Sequence, residues 1–406
     1  MNLKRVASAL GPGFITAAVV IGPGSVTVMT ATGSTYGYQL LWLPLVVGVL
    51  MAAFTVLFMR FGVMSERTFF DVVAARGGRP LAVLCGFSAF YIAAAFQFGN
   101  NIGIATAMQG LLPDAPTWVW PIAFNGASIL FLFVFRRTYF YLEKMMLVMV
   151  GGMLLAFLAN LFFAGIDAPK AAAGLVVRIP ANADWMKLGG LIATTFSILA
   201  AINQAYLVRA KGWGRDNFAE GRTDALAGIA MLAAISMIVM MTSAAVLQKS
   251  GIQVNNAADM AKQLQTLFGS HARVIFCLGL AAAAFSSFIM NAMIGGVLFS
   301  DSMGKSARID DAMPKVLGTL ALLAGMVVAL LVLTVEGISF VKCLIAAQAG
   351  TLLAVPLAAV CSWMVLFWKD STPEQPLGIG ARVWVAIGVL VLFATSTMTA
   401  VKLFGS

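Results

Sequence analysis

Gly22-Pro23-Gly24-Ser25 stands halfway along an apolar stretch. Proline removes a backbone donor and the flanking glycines tolerate non-helical torsions, so several peptide groups there lose helical partners. Freed carbonyls and N–H groups at bilayer depth survive only where protein or a water-filled cavity satisfies them. A plain proline kink is one reading of the motif. The other is the interrupted helix from which many secondary transporters build a midplane site. The side chains that could join such a site are neutral: Gln97, Asn100, Asn101, Asn125, Asn160, Asn203, Gln204, Asn291 and Gln348. Amides in packed helices ordinarily act as interhelical glue, and that reading is preferred for Asn125 and Asn160. Gln97, Asn100 and Asn101 cluster within little more than a turn, and Asn203 adjoins Gln204, so these could equally line a cavity.

Charged chemistry is missing from the same depth. All sixteen acids, from Glu66 to Glu374, fall in loops or at helix ends. Ionisable groups inside a bilayer mark ion pathways and proton relays, so this distribution argues against a carboxylate-anchored cation site and against an Asp/Glu/His relay. The single histidine, His271, sits at a loop edge, and Cys85, Cys277, Cys343 and Cys361 lie in apolar runs without metal or redox spacing. With no carboxylate pair and no nucleophile constellation inside the spans, the chain is not read as an enzyme, and no cofactor is expected.

The elements that must position these residues follow from composition. The 406 residues are 61% hydrophobic and only 10% charged, with a mean hydropathy of +0.95; soluble domains carry about 25% charged residues. Uncharged runs of about 20 residues recur, which predicts helices spanning a bilayer, not barrel strands. Spans are expected near 11–33, 39–62, 81–112, 117–135, 143–165, 186–209, 223–248, 272–300, 315–334, 337–368 and 382–404. Alternate loops hold eighteen and seven Lys/Arg, with Lys342 left out just inside the tenth span. The positive-inside rule then places the N-terminus in the cytoplasm and the C-terminus outside a plasma (inner) membrane. The net charge of +10 is read as this loop asymmetry and not as a nucleic-acid surface. Arg209 and Lys342 are expected to anchor or snorkel at the interfaces. Loops are short, so one polytopic domain is expected, and oligomeric state is not legible.

Residues 11–64, through the break to Tyr36-Gly37-Tyr38-Gln39-Leu40-Leu41-Trp42 and on to Arg60-Phe61-Gly62-Val63-Met64, resemble the opening of an NRAMP divalent-metal transporter. Leu142-Glu143 at the fifth helix, Ala281-Ala282-Ala283-Ala284-Phe285-Ser286-Ser287 in the eighth, and Gln348 eight residues before Pro356 extend the likeness along the chain. The resemblance implies an all-α, LeuT-type membrane fold with eleven helices. Segments 1–165 and 186–368 would form an inverted repeat with interrupted helices 1 and 6, and 382–404 would be an extra helix.

It would also imply proton-coupled manganese or iron uptake, but the site residues differ. Gly22-Pro23-Gly24-Ser25 replaces the family's Asp-Pro-Gly-Asn, and Ala201-Ile202-Asn203 replaces Met-Pro-His. Gln348 alone is kept, while Gln97 and Asn100 stand at acidic positions and Val208 at a histidine. Transition metals need imidazole, thioether or carboxylate ligands, and even partly hydrated magnesium normally takes a carboxylate. Three readings stay open. The first is an alternating-access transporter of a small solute or ion, with Gly22, Pro23, Ser25, Ala201, Asn203 and Gln348 at the substrate and Gln97, Asn100 and Gln204 behind them or along the pathway. The second is a divalent-metal transporter with an altered site, using a displaced methionine such as Met29 or Met290. The third is a transport-inactive sensor or assembly subunit.

Overall fold

The computed structural model describes residues 11–134, 152, 155–335, 339–367 and 377–404. The fifth expected span, including Glu143, lies largely outside the described residues, which hold only its helical end at 155–163. The count of eleven spans therefore rests on the sequence. Among the described residues eight helices are long and apolar enough to cross a membrane, and a bent pair, Pro12–Val20 (α1) with Pro23–Tyr36 (α2), makes a ninth.

The remaining elements follow the expected spans closely. They are Trp42–Met64 (α3), Phe69–Leu111 (α4), Val119–Val134 (α5), Trp185–Thr195 (α6), Ile198–Ala210 (α7), Phe218–Ser243 (α8), Ala272–Ser302 (α9), Ala312–Leu333 (α10), Phe340–Gly350 (α11), Val355–Leu366 (α12) and Ile379–Phe404 (α13). One span begins earlier than expected. Thr68 and Asp71 exchange side-chain to backbone bonds of 3.1 Å in a capping box, so α4 starts at Phe69. It then breaks at Gly78, whose φ of 81° suits only glycine, and resumes through Pro80.

Two spans are interrupted in mid-course. The first bends by 61° between α1 and α2. The sixth stops at Phe196, with Ser197 extended and capping α7 through Ala200 N at 3.4 Å. Phe196 is pinned there by an edge-on contact with Phe54 of α3, 5.1 Å between ring centres. The two broken spans run side by side in opposite directions. A Cβ on Gly190, just before the second break, would lie 3.3 Å from Val28, just past the first. On the other side Gln204 donates to Thr16 Oγ1 (2.5 Å) and Pro12 O (3.0 Å) and accepts from Gly13 N (3.3 Å). These two contacts hold the interruptions level with each other.

Helix α4 supplies the wall beside them. Pro23 packs into the surface of α4 at Gly103, where a Cβ would stand 2.9 Å from Pro23 Cγ and closer still to its Cβ. Large apolar side chains such as Leu331 on α10 and Leu390 on α13 face outward, as a hydrocarbon surround requires.

Candidate functional site

At the first break, Gly22 is extended and caps α2 without a side chain to offer. Val26 N donates to Gly22 O at 3.1 Å, so the N–H groups of Gly24 and Ser25 precede the first helical bond. On the other side Pro23 has no N–H for Val19 O, and Gly22 N turns to Val20 O at 3.1 Å. The carbonyls of Ala18 and Val19 thereby lose their usual helical donors. Ser25 Oγ donates to Val20 O and bridges the break. What Ser25 offers a ligand is therefore its backbone N–H and not the expected hydroxyl.

The structure brings Gly22, Pro23, Gly24, Asn100 and Gln348 together and adds Ser287, which the sequence reading had not placed at the site. Gln348 lies near the end of α11 and is 2% exposed. A Cβ on Gly24 would lie 2.6 Å from Gln348 Cδ, and one on Gly99 would lie 3.3 Å from its Nε2, so the amide rests between the start of α2 and α4. Its Oε1 has no partner. Ser287 Oγ is equally buried and unpartnered, and it would lie 2.7 Å from a Cβ on Gly22, with Asn100 Oδ1 at 3.4 Å. Unpartnered buried polar atoms are rare in native interiors, and these two face the same break.

Ala201 and Asn203 are buried on α7. Their tie to the first break is indirect, through the Gln204 contacts with α1. Gln97 donates to Phe288 O at 2.6 Å and accepts from Asn100 Nδ2 at 3.1 Å, and Asn125 bonds Asn101 at 2.6 Å. Asn160 joins the 257–268 segment through Gln263 O at 2.9 Å and Thr266 at 3.1 Å. Gln97, Gln204, Asn125 and Asn160 thus hold helices together, although Asn125 Oδ1, like Gln348 Oε1 and Ser287 Oγ, is left without a partner. Next to the break lies a cavity of about 360 Å³ whose walls include Ile21, Val26, Phe157, Leu264, Phe276 and Ser286. Met29 and Met290, the displaced metal ligands considered above, are fully packed core residues. Among the described residues no group of three or more His, Cys, Asp or Glu side chains converges.

Far along the helix axes, two carboxylates that look like helix-end residues in sequence are buried. Asp301, at the end of α9, accepts from Tyr206 Oη at 2.5 Å and Thr68 Oγ1 at 3.1 Å. Asp224 accepts from Gly11 N at 2.8 Å and Gly13 N at 2.6 Å, capping the start of α1. Arg209 does more than anchor an end at the interface: it donates to Gly62 O, Ser65 O and Arg67 O at 3.1, 2.8 and 2.5 Å, closing the end of α3. Lys342 is exposed, as a snorkelling side chain would be.

Paired broken helices level with each other around neutral, partly unsatisfied groups define a secondary transporter of the LeuT-type fold working by alternating access. The chain matches the family description "Natural resistance-associated macrophage protein-like" over residues 13–404, and it belongs to the Nramp family. The divalent metal cation transporter MntH of Deinococcus radiodurans is 27% identical over 320 residues, covering 75% of this chain and 71% of that protein. A variant of the Eremococcus coleocola manganese transporter superposes with a TM-score of 0.83 at 15% identity, covering all of this chain and 89% of the other. A sodium-coupled sialic acid symporter superposes with a TM-score of 0.62 at 12% identity, over 98% and 90% of the two chains.

Proposed function

We propose that this Nramp-family carrier moves a small polar organic solute, bound at the break between α1 and α2. The observation that supports the reading is Gln348, buried against Gly24 with its amide oxygen unpartnered, in a site where Gly22 and Ala201 replace the family's carboxylate and thioether. One amide, one hydroxyl and backbone groups put no formal charge against a divalent ion, and transition metals select charged or softer ligands. In this reading Gly22, Pro23, Ser25, Ala201, Asn203 and Gln348 surround the solute, and Gln97, Asn100 and Gln204 hold the helices that frame it. The chain acts as a carrier and not as an enzyme. Segments 1–165 and 186–368 serve as the two repeats, with 382–404 appended. The N-terminus lies in the cytoplasm and the C-terminus outside the plasma membrane, as the basic-loop asymmetry supports.

A second reading, metal transport through an altered site, is favoured by the names of the relatives. Calorimetric titration of the purified protein with manganese and then magnesium, paired with metal-dye uptake in proteoliposomes, separates the two. The proposal expects no saturable heat and no uptake for either ion. Saturable manganese binding with uptake would refute it.

A further inference from the structure

Two cysteines that the sequence keeps far apart meet in the fold. Cys85 of α4 and Cys361 of α12 are 1% and 0% exposed, and both are free thiols. Their side chains touch, with the Cys85 thiol donating to the Cys361 sulfur. Contacts on either side hold the two helices in this register. Ser88 Oγ of α4 donates to Ala354 O at 2.8 Å. Towards the other end Arg76 donates to Met364 O, and a Cβ on Gly77 would lie 3.3 Å from Met364 Cε. The helices therefore run antiparallel, and positions 85 and 361 fall between these two ties. The other cysteines lie elsewhere: Cys277 Sγ would be 2.6 Å from a Cβ on Gly110, and Cys343 packs on the cluster of Ile102, Ala329 and Leu344.

We infer that Cys85 and Cys361 form a reversible disulfide that latches the tenth span to α4, whatever the cargo. The oxidant is a peroxide. The Cys361 sulfur attacks one peroxide oxygen, the O–O bond breaks, water leaves and a sulfenic acid remains. The Cys85 sulfur then attacks that sulfur, the S–S bond forms and a second water leaves. The two thiols lose two electrons to the peroxide, and their protons end in the two waters. Leu84 and Val360, each one residue before a cysteine, are exposed on the outer surface of their helices, so a small uncharged oxidant has little depth to cross. The latch reaches the central site through a hinge. α12 follows α11 through the 3-10 turn Thr351–Ala354 and opens with Pro356, which has no N–H for Leu352 O. Tight turns within a helix often mark hinges. Gln348 stands just before this one, with its amide between α2 and α4. A crosslink from α12 to α4 clamps the hinge beside that amide.

The test treats the full-length protein in detergent with millimolar hydrogen peroxide, then alkylates the remaining thiols in denaturant for peptide mapping. The expected product is a peptide pair carrying Cys85 and Cys361, lighter by two hydrogens and separated by a reductant, with Cys277 and Cys343 alkylated. Hydrogen exchange of the oxidised protein should slow about tenfold or more in 81–93 and 355–366, while amides in 223–242 of α8 stay within about twofold. Reduction should restore the original rates. Cys277→Ala/Cys343→Ala should keep the whole response and Cys361→Ala should abolish it. Should Cys361→Ala elute as aggregate, mapping and exchange of the wild-type protein decide alone. Four alkylated cysteines after a day of peroxide, sulfinic acid at Cys85 or Cys361 without a crosslink, or pairing with Cys277 or Cys343 would overturn the inference. A Cys85–Cys361 crosslink that leaves exchange in 355–366 unchanged would overturn the latch.

Discussion

Removing one hydroxyl, by Tyr206→Phe, should loosen one end of the carrier while leaving the other as it is. Tyr206 of α7 and Thr68 at the cap of α4 meet on the Asp301 carboxylate of α9, at 2.5 and 3.1 Å. Three spans are therefore tied at one buried group, which is 3% exposed. Phenylalanine preserves the ring and its packing but leaves Asp301 with Thr68 alone among these donors. A buried hydrogen bond to a charged acceptor is worth about 1.5–3 kcal/mol, which multiplies the open population of that end by about ten to a hundred. Hydrogen exchange read by mass spectrometry reports such local opening directly. Amides in 62–70 and 198–210 should exchange about ten to a hundred times faster in the variant. Amides in 24–36 and 185–195, beyond the breaks, should keep wild-type rates, which distinguishes a released lock from general unfolding. Exchange within about twofold of wild type in 62–70 and 198–210, in a protein of unchanged melting temperature, would refute the role given to this bond.

Gly24→Ala should leave the fold intact, since alanine favours a helix by about 1 kcal/mol over glycine, yet its Cβ would lie 2.6 Å from Gln348 Cδ and expel the amide. Binding of whichever solute the wild-type protein takes up should fall about tenfold or more in calorimetry, and the Gly24→Ala/Gln348→Ala double variant should be no weaker than Gln348→Ala alone, whereas additive losses would separate the two residues. Gly103→Ala places a methyl against the rigid ring of Pro23, 2.9 Å from its Cγ, and should cost about 1–3 kcal/mol, read as a lowered melting temperature. Asp224→Ala leaves Gly11 N without its acceptor and Gly13 N with only the longer contact to Gln204 and should destabilise by about 1–3 kcal/mol, with amides at 11–20 the first to exchange.

The first interruption was legible because a proline flanked by two glycines at mid-span removes a donor and frees the backbone, and the structure bends there. The sixth span offers no such signal. Thr194-Thr195-Phe196-Ser197 contains neither glycine nor proline, and the break is imposed by tertiary contacts, Phe196 on Phe54 and Ser197 as a cap. The resemblance located Gln348, but no pattern distinguished Ser287 from its neighbour. Serines inside helices usually bond a carbonyl a turn back, as Ser286 does with Ala283 at 2.9 Å, and only the packing shows Ser287 left without a partner. Asp224 and Asp301 read as solvent-facing helix ends because burial at a helix end depends on what docks over it, which sequence spacing does not encode.

The replacement of the family's aspartate by Gly22 changes more than a ligand. An aspartate at the cap of α2 would place a full negative charge on the helix start, satisfy its free N–H groups and leave the break net negative, a setting for cations. Glycine at the same backbone position keeps the break, the proline and the packing against α4, but leaves the helix dipole unmet. Gly22 thus removes the formal charge that the resemblance places at the break and keeps the proline and its packing against α4. Loss of the thioether at Ala201 acts in the same direction, since it removes the soft donor that would have favoured a metal. The surviving Gln348 is the group whose chemistry suits both signs, because an amide accepts from a cation's shell and donates to an anion. Its retention therefore carries no weight for metal transport by itself.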